Sequence, residues 1–192
     1  MLYDQHMARN NRVFHLIWIV SLATTSILAL AQDTHRLENV ASCRQVAQDF
    51  YGWYVPFYEK HGLQYRTADV ALQRKAALFN PALLQALKVD FAAQRRSNEI
   101  VGIDFDPFVG NDGGENYEVR KVSLKDDRCF VEVWQSPVSE NPSWKPDKPD
   151  VIAELSKQAG HWQFRNFRYA DMDNDDLISA LEGWREARCK QK

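Results

Sequence analysis

Asp104 and Asp106 alternate in the segment Gly102-Ile103-Asp104-Phe105-Asp106-Pro107-Phe108, and alternate residues of an extended chain point to one face. Two carboxylates on one face are what paired acid and base chemistry needs, and they would also suit the mouth of a polar pocket. Tyr54 belongs to the aromatic run Phe50 to Tyr58, in which Tyr51, Tyr54 and Tyr58 need partners for their hydroxyls wherever they are buried. One of them reaching a carboxylate would complete such a site. His161 and His61 are the imidazoles that could serve as a second positioned group. His61 is better explained as a favourable charge at a helix C-terminus, and His161 as a hairpin-end residue. The aspartates also have a plainer reading, which the residues favour: Asp106 restrains the turn at Pro107 while Asp104 takes an arginine or a backbone donor. No nucleophile context such as G-x-S-x-G is present. The candidate binding residues are Tyr54, Asp104, Asp106 and His161, and no catalytic residue and no cofactor is expected.

Asp171, Asp173, Asp175 and Glu182 fall at positions 1, 3, 5 and 12 of a calcium loop, with Ile178 at the apolar eighth. Position 6 is Asp176 where the sharp turn wants glycine, and the preceding His161 to Tyr169 reads as a strand rather than an entering helix. An acidic start to the last helix explains the same residues through the helix dipole, so no metal is expected. The three cysteines, Cys43, Cys129 and Cys189, allow three pairings and contain no C-x-x-C. Cys129 shares a strand face with Val131 and Val133 and can sit in a core as a small hydrophobe, whereas Cys189 lies in a polar tail where a free thiol would be reactive. The expected disulfide is Cys43–Cys189.

These groups must be positioned by elements legible from periodicity. From Asn39, the residues Val40, Cys43, Val46, Phe50, Trp53 and Phe57 recur at steps of three and four, a helical stripe that Pro56 should kink and Gly62 should end. A second helix is predicted over Ala68 to Phe79. Asn80-Pro81 then caps a third, with Leu83, Leu84, Leu87, Val89 and Phe91 as its apolar members. Beyond Asn98 the pattern turns to strands: Tyr117 to Leu124 with its parity slipping between Val119 and Val122, then Cys129/Val131/Val133, Val151/Ala153/Leu155 and Trp162/Phe164. Gln158-Ala159-Gly160 is the turn of the last hairpin. Four of the seven prolines lie from Pro137 to Pro149, a loop long enough to serve as a docking surface. A short helix after Asp175 or Asp176 should bury Leu177, Ile178, Leu181 and Trp184. Helices followed by an antiparallel sheet argue an α+β fold, with a curved sheet around the long N-terminal helix.

Arg9 and Arg12 precede an apolar run, Val13 to Ala31, ending in Ala29-Leu30-Ala31, which reads as a secretory signal cleaved after Ala31. His15 and the polar Ser21, Thr24, Thr25 and Ser26 make the run a poor membrane span, and no Cys follows for a lipid anchor. The expected organisation is a signal peptide over 1–31 and one α+β domain over 32–192, periplasmic or secreted and without a stable membrane anchor after cleavage. A formal net charge of −2, with only short basic spots at Arg95-Arg96 and Arg185 to Lys192, disfavours nucleic acid as a partner.

The strings Asp49-Phe50-Tyr51-Gly52-Trp53-Tyr54, Gly102 to Phe108, and Gly160-His161-Trp162-Gln163-Phe164 through Asp176-Leu177 resemble the bacterial envelope family catalogued as domain of unknown function 3828. The resemblance spans residues 43 to 184. It implies a cystatin-like, nuclear-transport-factor-2-like cone and a periplasmic setting, and it adds little mechanism. Together the readings point to a non-catalytic binding protein that docks on an envelope protein, as an accessory or as an inhibitor or immunity-type protein. The alternative is a small-molecule binder or enzyme using a cone pocket near Tyr54, Asp104 and Asp106.

Overall fold

A computed structural model describes residues 10–61, 67–97, 101–110, 116–136, 147–169 and 176–190, with the helical backbone alone for 10–32. The chain divides into two units, 1–39 and 40–192. Helix α1, Asn10–His61, begins in the first and supplies the second from Val40 onward. Among the described residues no helix is long and apolar enough to cross a membrane, and the side chains of the run Val13 to Ala31 are not among them.

The second unit is α+β. Helices α2, Thr67–Arg74, and α3, Pro81–Arg96, precede the strands β1, Tyr117–Lys125, β2, Arg128–Gln135, β3, Val151–Gln158, and β4, His161–Tyr169, and helix α4, Leu177–Lys190, closes the order. The strands form one open antiparallel sheet in sequence order, as expected for strands joined by hairpins. The β1–β2 register shifts between Val119 and Val122, where the apolar parity slips in the sequence. A second shift, beside Glu154, leaves Arg165 of β4 without a partner across the ladder. Ala159 and Gly160 both take positive φ, the paired left-handed conformation that a two-residue hairpin demands. Asn80 caps α3, its side chain accepting from the Ala82 amide at 2.9 Å, with Pro81 at the first helical position. Asp176 does the same for α4 through the Ser179 amide at 3.0 Å.

One face of the sheet, carrying Cys129, Val131, Val133, Val151, Ala153, Leu155, Phe164 and Phe167, packs with the helices into a single buried core. Phe50 is its hub, stacked on Tyr54 with ring centres 5.3 Å apart and met edge-on by Phe79 and Phe108.

Several expectations are corrected. The buried face of α1 is Cys43, Ala47, Phe50, Tyr51, Tyr54, Val55 and Tyr58, so the predicted stripe is rotated toward the tyrosines. Trp53 and Phe57 lie half-buried at its edge, stacked on each other beneath Lys75 and Arg74, while the tyrosines go inside because acceptors await their hydroxyls there. Helix α1 runs through Pro56 and ends at His61, as the sequence places it. Helix α2 stops at Arg74, and a 3-10 turn over Ala76–Leu78 leads to Phe79, which bridges to Phe164 of β4. Val89 and Trp184 are 41% and 40% exposed rather than core. The disulfide is Cys43–Cys129, with Cα atoms 6.6 Å apart, and not Cys43–Cys189. Cys129 does face the core, and α1 packs on that same face, so Cys43 is brought to it; Cys189 is free and exposed near the end of α4. Residues 137–146 of the proline-rich loop, Gly62, and Asp171, Asp173 and Asp175 lie outside the described residues.

Candidate functional site

Of the four sequence-level binding residues, the fold brings two together. Tyr54 donates to Asp106 Oδ2 at 2.5 Å, with Thr67 Oγ1 3.4 Å from the same oxygen. Asp106 Oδ1 accepts from the Phe108 and Val109 amides at 2.9 and 3.2 Å. The backbone turns there, Gly110 donating back to the Asp106 carbonyl at 2.9 Å, and Gly110 takes a φ of 82° that glycine tolerates freely. The predicted extended track thus ends at Asp106, which is 3% exposed, while Asp104 stays on the surface. One carboxyl is exposed and the other buried, with a bend of the backbone at Phe105 between them. His161 lies exposed at the β3–β4 hairpin end, paired with Gln158.

The turn is held from two further sides. Tyr51 donates to the Phe108 carbonyl and Tyr169 to that of Pro107, both at 2.8 Å. Burial, and next the negative Asp106, pushes the hydroxyls of Tyr51, Tyr54 and Tyr169 well above their ordinary value, so all three stay protonated donors. Burial also pushes Asp106 up to about 6, against the opposing pull of its bonds from Tyr54, Phe108, Val109 and Thr67. The carboxylate is therefore charged at neutral pH, consistent with its short bond from Tyr54. A ligand entering here would have to displace hydrogen bonds and rings already in contact.

Polar groups that the sequence reading did not single out occupy two other places. In the first, Asp90 of α3 is buried and meets Arg188 of α4 at 2.6 Å, and it also accepts from Gln94 and the Ile103 amide. Arg188 further donates to the Val101 carbonyl at 2.5 Å. Gly102 passes so close to Asp90 that an added Cβ would lie 2.3 Å from Oδ2. This is a clamp between α3, the Val101–Ile103 segment and α4. Beside it a groove of about 310 Å³ runs between α3 and α4, lined by Ala86, Val89, Ile178, Leu181 and Arg185.

The second place is the face of the sheet away from the core. Glu154 of β3 points there and is only 2% exposed, covered by Arg128 of β2 and by Arg165 and Arg168 of β4 at 3.2, 3.4 and 3.4 Å. Arg165 is the bulged residue of β4, which is how two arginines three apart both reach one carboxylate. A groove of about 440 Å³ adjoins this cluster, with Phe130 and Ile152 as its apolar lining and Lys125, Arg128 and Arg168 as its cations. The strand parity of Cys129/Val131/Val133 and Val151/Ala153/Leu155 already turns Arg128, Phe130, Ile152 and Glu154 outward. What the parity lacked was the register that sets them side by side.

Among the described residues no group of three or more His, Cys, Asp or Glu side chains is gathered to hold a metal ion. No family model, curated protein or solved structure matches the chain. The envelope-family resemblance rests on the residues quoted for it.

Proposed function

We propose that this chain is an exported, extracytoplasmic binding protein that acts by docking on another protein of the bacterial envelope, as an accessory or an inhibitor. The observation that carries the reading is the commitment of the interior polar groups to one another. Tyr51, Tyr54, Thr67, Asp106 and Tyr169 are engaged in holding one turn, while the surface keeps grooves with cationic and apolar linings. The disulfide Cys43–Cys129 supports an oxidising compartment, where such bonds persist. The secretory pattern of residues 9–31 and the envelope-family resemblance support the same address.

The test is capture from envelope extracts by the folded, oxidised protein. A saturable envelope partner is expected, retained when Asp104 and Asp106 are both replaced by Asn, and weakened when the loop between Pro137 and Pro149 is shortened. Loss of the biological role in the folded double-Asn protein, with capture unaffected by the loop, would overturn docking in favour of a small ligand at Tyr54, Asp104 and Asp106.

A further inference from the structure

We infer that the arginine-lined groove on the outer sheet face is a binding site for an acidic peptide segment, one that alternates carboxylate and apolar side chains. This deepens the docking reading by naming the chemistry of the partner segment. Three guanidinium charges converge on one carboxylate, Glu154, and Arg168 also meets Asp176, which leaves an excess of one positive charge at the cluster itself. Lys125 and Asp126 at the rim offset each other, and Asp176 also caps the last helix through the Ser179 amide.

The chain as a whole is acidic by formal charge, so the patch opposes the general sign of the protein, as a steering surface does. Each guanidinium carries five N–H donors in a fixed fork, and the contact with Glu154 uses only part of that capacity. The three arginine side chains remain 41%, 43% and 50% exposed, so further donors reach solvent. Buried Glu154 fixes the arginines in place, which reduces the ordering that binding must otherwise impose.

Carboxylate is favoured over a bare inorganic anion by the apolar part of the groove. Phe130 and Ile152 are half-buried between the cations and give a bound segment apolar surface to cover. Strand-like alternation suits the site because Ile152 and Arg168 are directly paired across the ladder and Phe130 lies two residues along β2 from Arg128, so apolar and cationic positions lie side by side; Glu132, the β2 partner of Ile152, is met by Lys121 at 3.4 Å.

The probe is a fluorescein-labelled peptide of alternating glutamate and leucine, read by polarisation against the full oxidised protein, with glutamine–leucine and lysine–leucine peptides and inorganic phosphate alongside. The glutamate peptide should bind, weaken steeply with added salt, and lose about tenfold in affinity or more with R128Q/R168Q. K125Q, at a rim lysine not among the Glu154 partners, should lose a few-fold, and it reads the same site if the arginine variant fails to fold. Equal binding of the glutamine peptide, displacement by phosphate at the same concentration as by peptide, or unchanged binding in both variants would overturn the inference. An envelope partner captured equally by wild type and R128Q/R168Q would remove the groove and leave docking standing. Peptide binding with no envelope partner would remove docking and leave the groove.

Discussion

Replacing Asp106 with Asn should change how stability depends on pH more than it changes stability itself. In the folded chain the carboxyl is pushed up to about 6 from an ordinary 3.8, chiefly by burial. The folded state therefore holds this proton more tightly than the unfolded chain does, so this group stabilises most below pH 3.8. That contribution is lost as pH rises through 6. The full difference is about 3 kcal/mol, taking about 1.4 kcal/mol for each pH unit of displacement. Between pH 7.5 and pH 4.5 about 2 kcal/mol of it should be recovered, because the unfolded carboxyl is already mostly ionised at the lower value. The substituted asparagine can keep the amides of Phe108 and Val109 on its carbonyl oxygen, and its NH2 can donate to Tyr54, whose hydroxyl then turns toward Thr67. The variant has no proton to lose at this position. Urea unfolding of both proteins at intervals from pH 4.5 to 8, with the disulfide intact, measures the difference directly. Other carboxylates drop out of the subtraction; Asp176, which partial burial raises but its hydrogen bonds and Arg168 lower further, contributes the opposite slope equally to both. The wild type should lose about 2 kcal/mol relative to the Asn variant as pH rises from 4.5 to 7.5. A constant difference across that range, or one of opposite sign, would refute the assignment of a raised, buried carboxyl at Asp106.

Peptide mapping of the oxidised protein should find Cys43 joined to Cys129 and Cys189 alkylated, and loss of the bridge in C43A/C129A should lower stability by about 4–5 kcal/mol from the 86-residue separation it closes, read by urea midpoint. Arg188→Met should destabilise by about 3–5 kcal/mol, since it strands the buried Asp90 charge, whereas the surface pair Arg95–Asp69 should yield under about 1 kcal/mol on the same measurement. Gly102→Ala should lower the melting temperature because its Cβ would occupy the place of the Asp90 carboxylate; combined with Asp90→Ala, most of its separate effect should vanish in a double-mutant cycle. Asn80→Ala should cost about 1 kcal/mol as a lost helix cap, with little change in the slope of unfolding against urea.

The local features were legible because each depends on a short run of residues. Asn80-Pro81 specifies a helix start by its own hydrogen-bonding and φ, Ala159-Gly160 a two-residue hairpin, and the parity slip between Val119 and Val122 a bulge that appears in the register. Alternation in β2 and β3 named the inward residues and hence the core face. Helical periodicity was less decisive: on α1 it favoured Trp53 and Phe57 over tyrosines, since hydropathy alone does not reveal that Phe108, Pro107 and Asp106 supply acceptors for hydroxyls inside.

Pairings between distant residues were settled only by the packing. Cys43 could have met either other cysteine, and the choice followed from α1 lying on the face to which Cys129 points. Asp104 and Asp106 are alike in sequence, but Asp104 stays exposed while Asp106 opens the turn to Gly110 and is buried. Asp90 and Arg188, 98 residues apart, read as ordinary surface charges until α3 and α4 pack together. Glu154 becomes a buried carboxylate only when β2 and β4 flank β3 in a register that brings three arginines over it. Spacing along the chain carries propensity and periodicity, whereas the desolvation and partnering of a charge depend on neighbours that only the assembled sheet and helices provide.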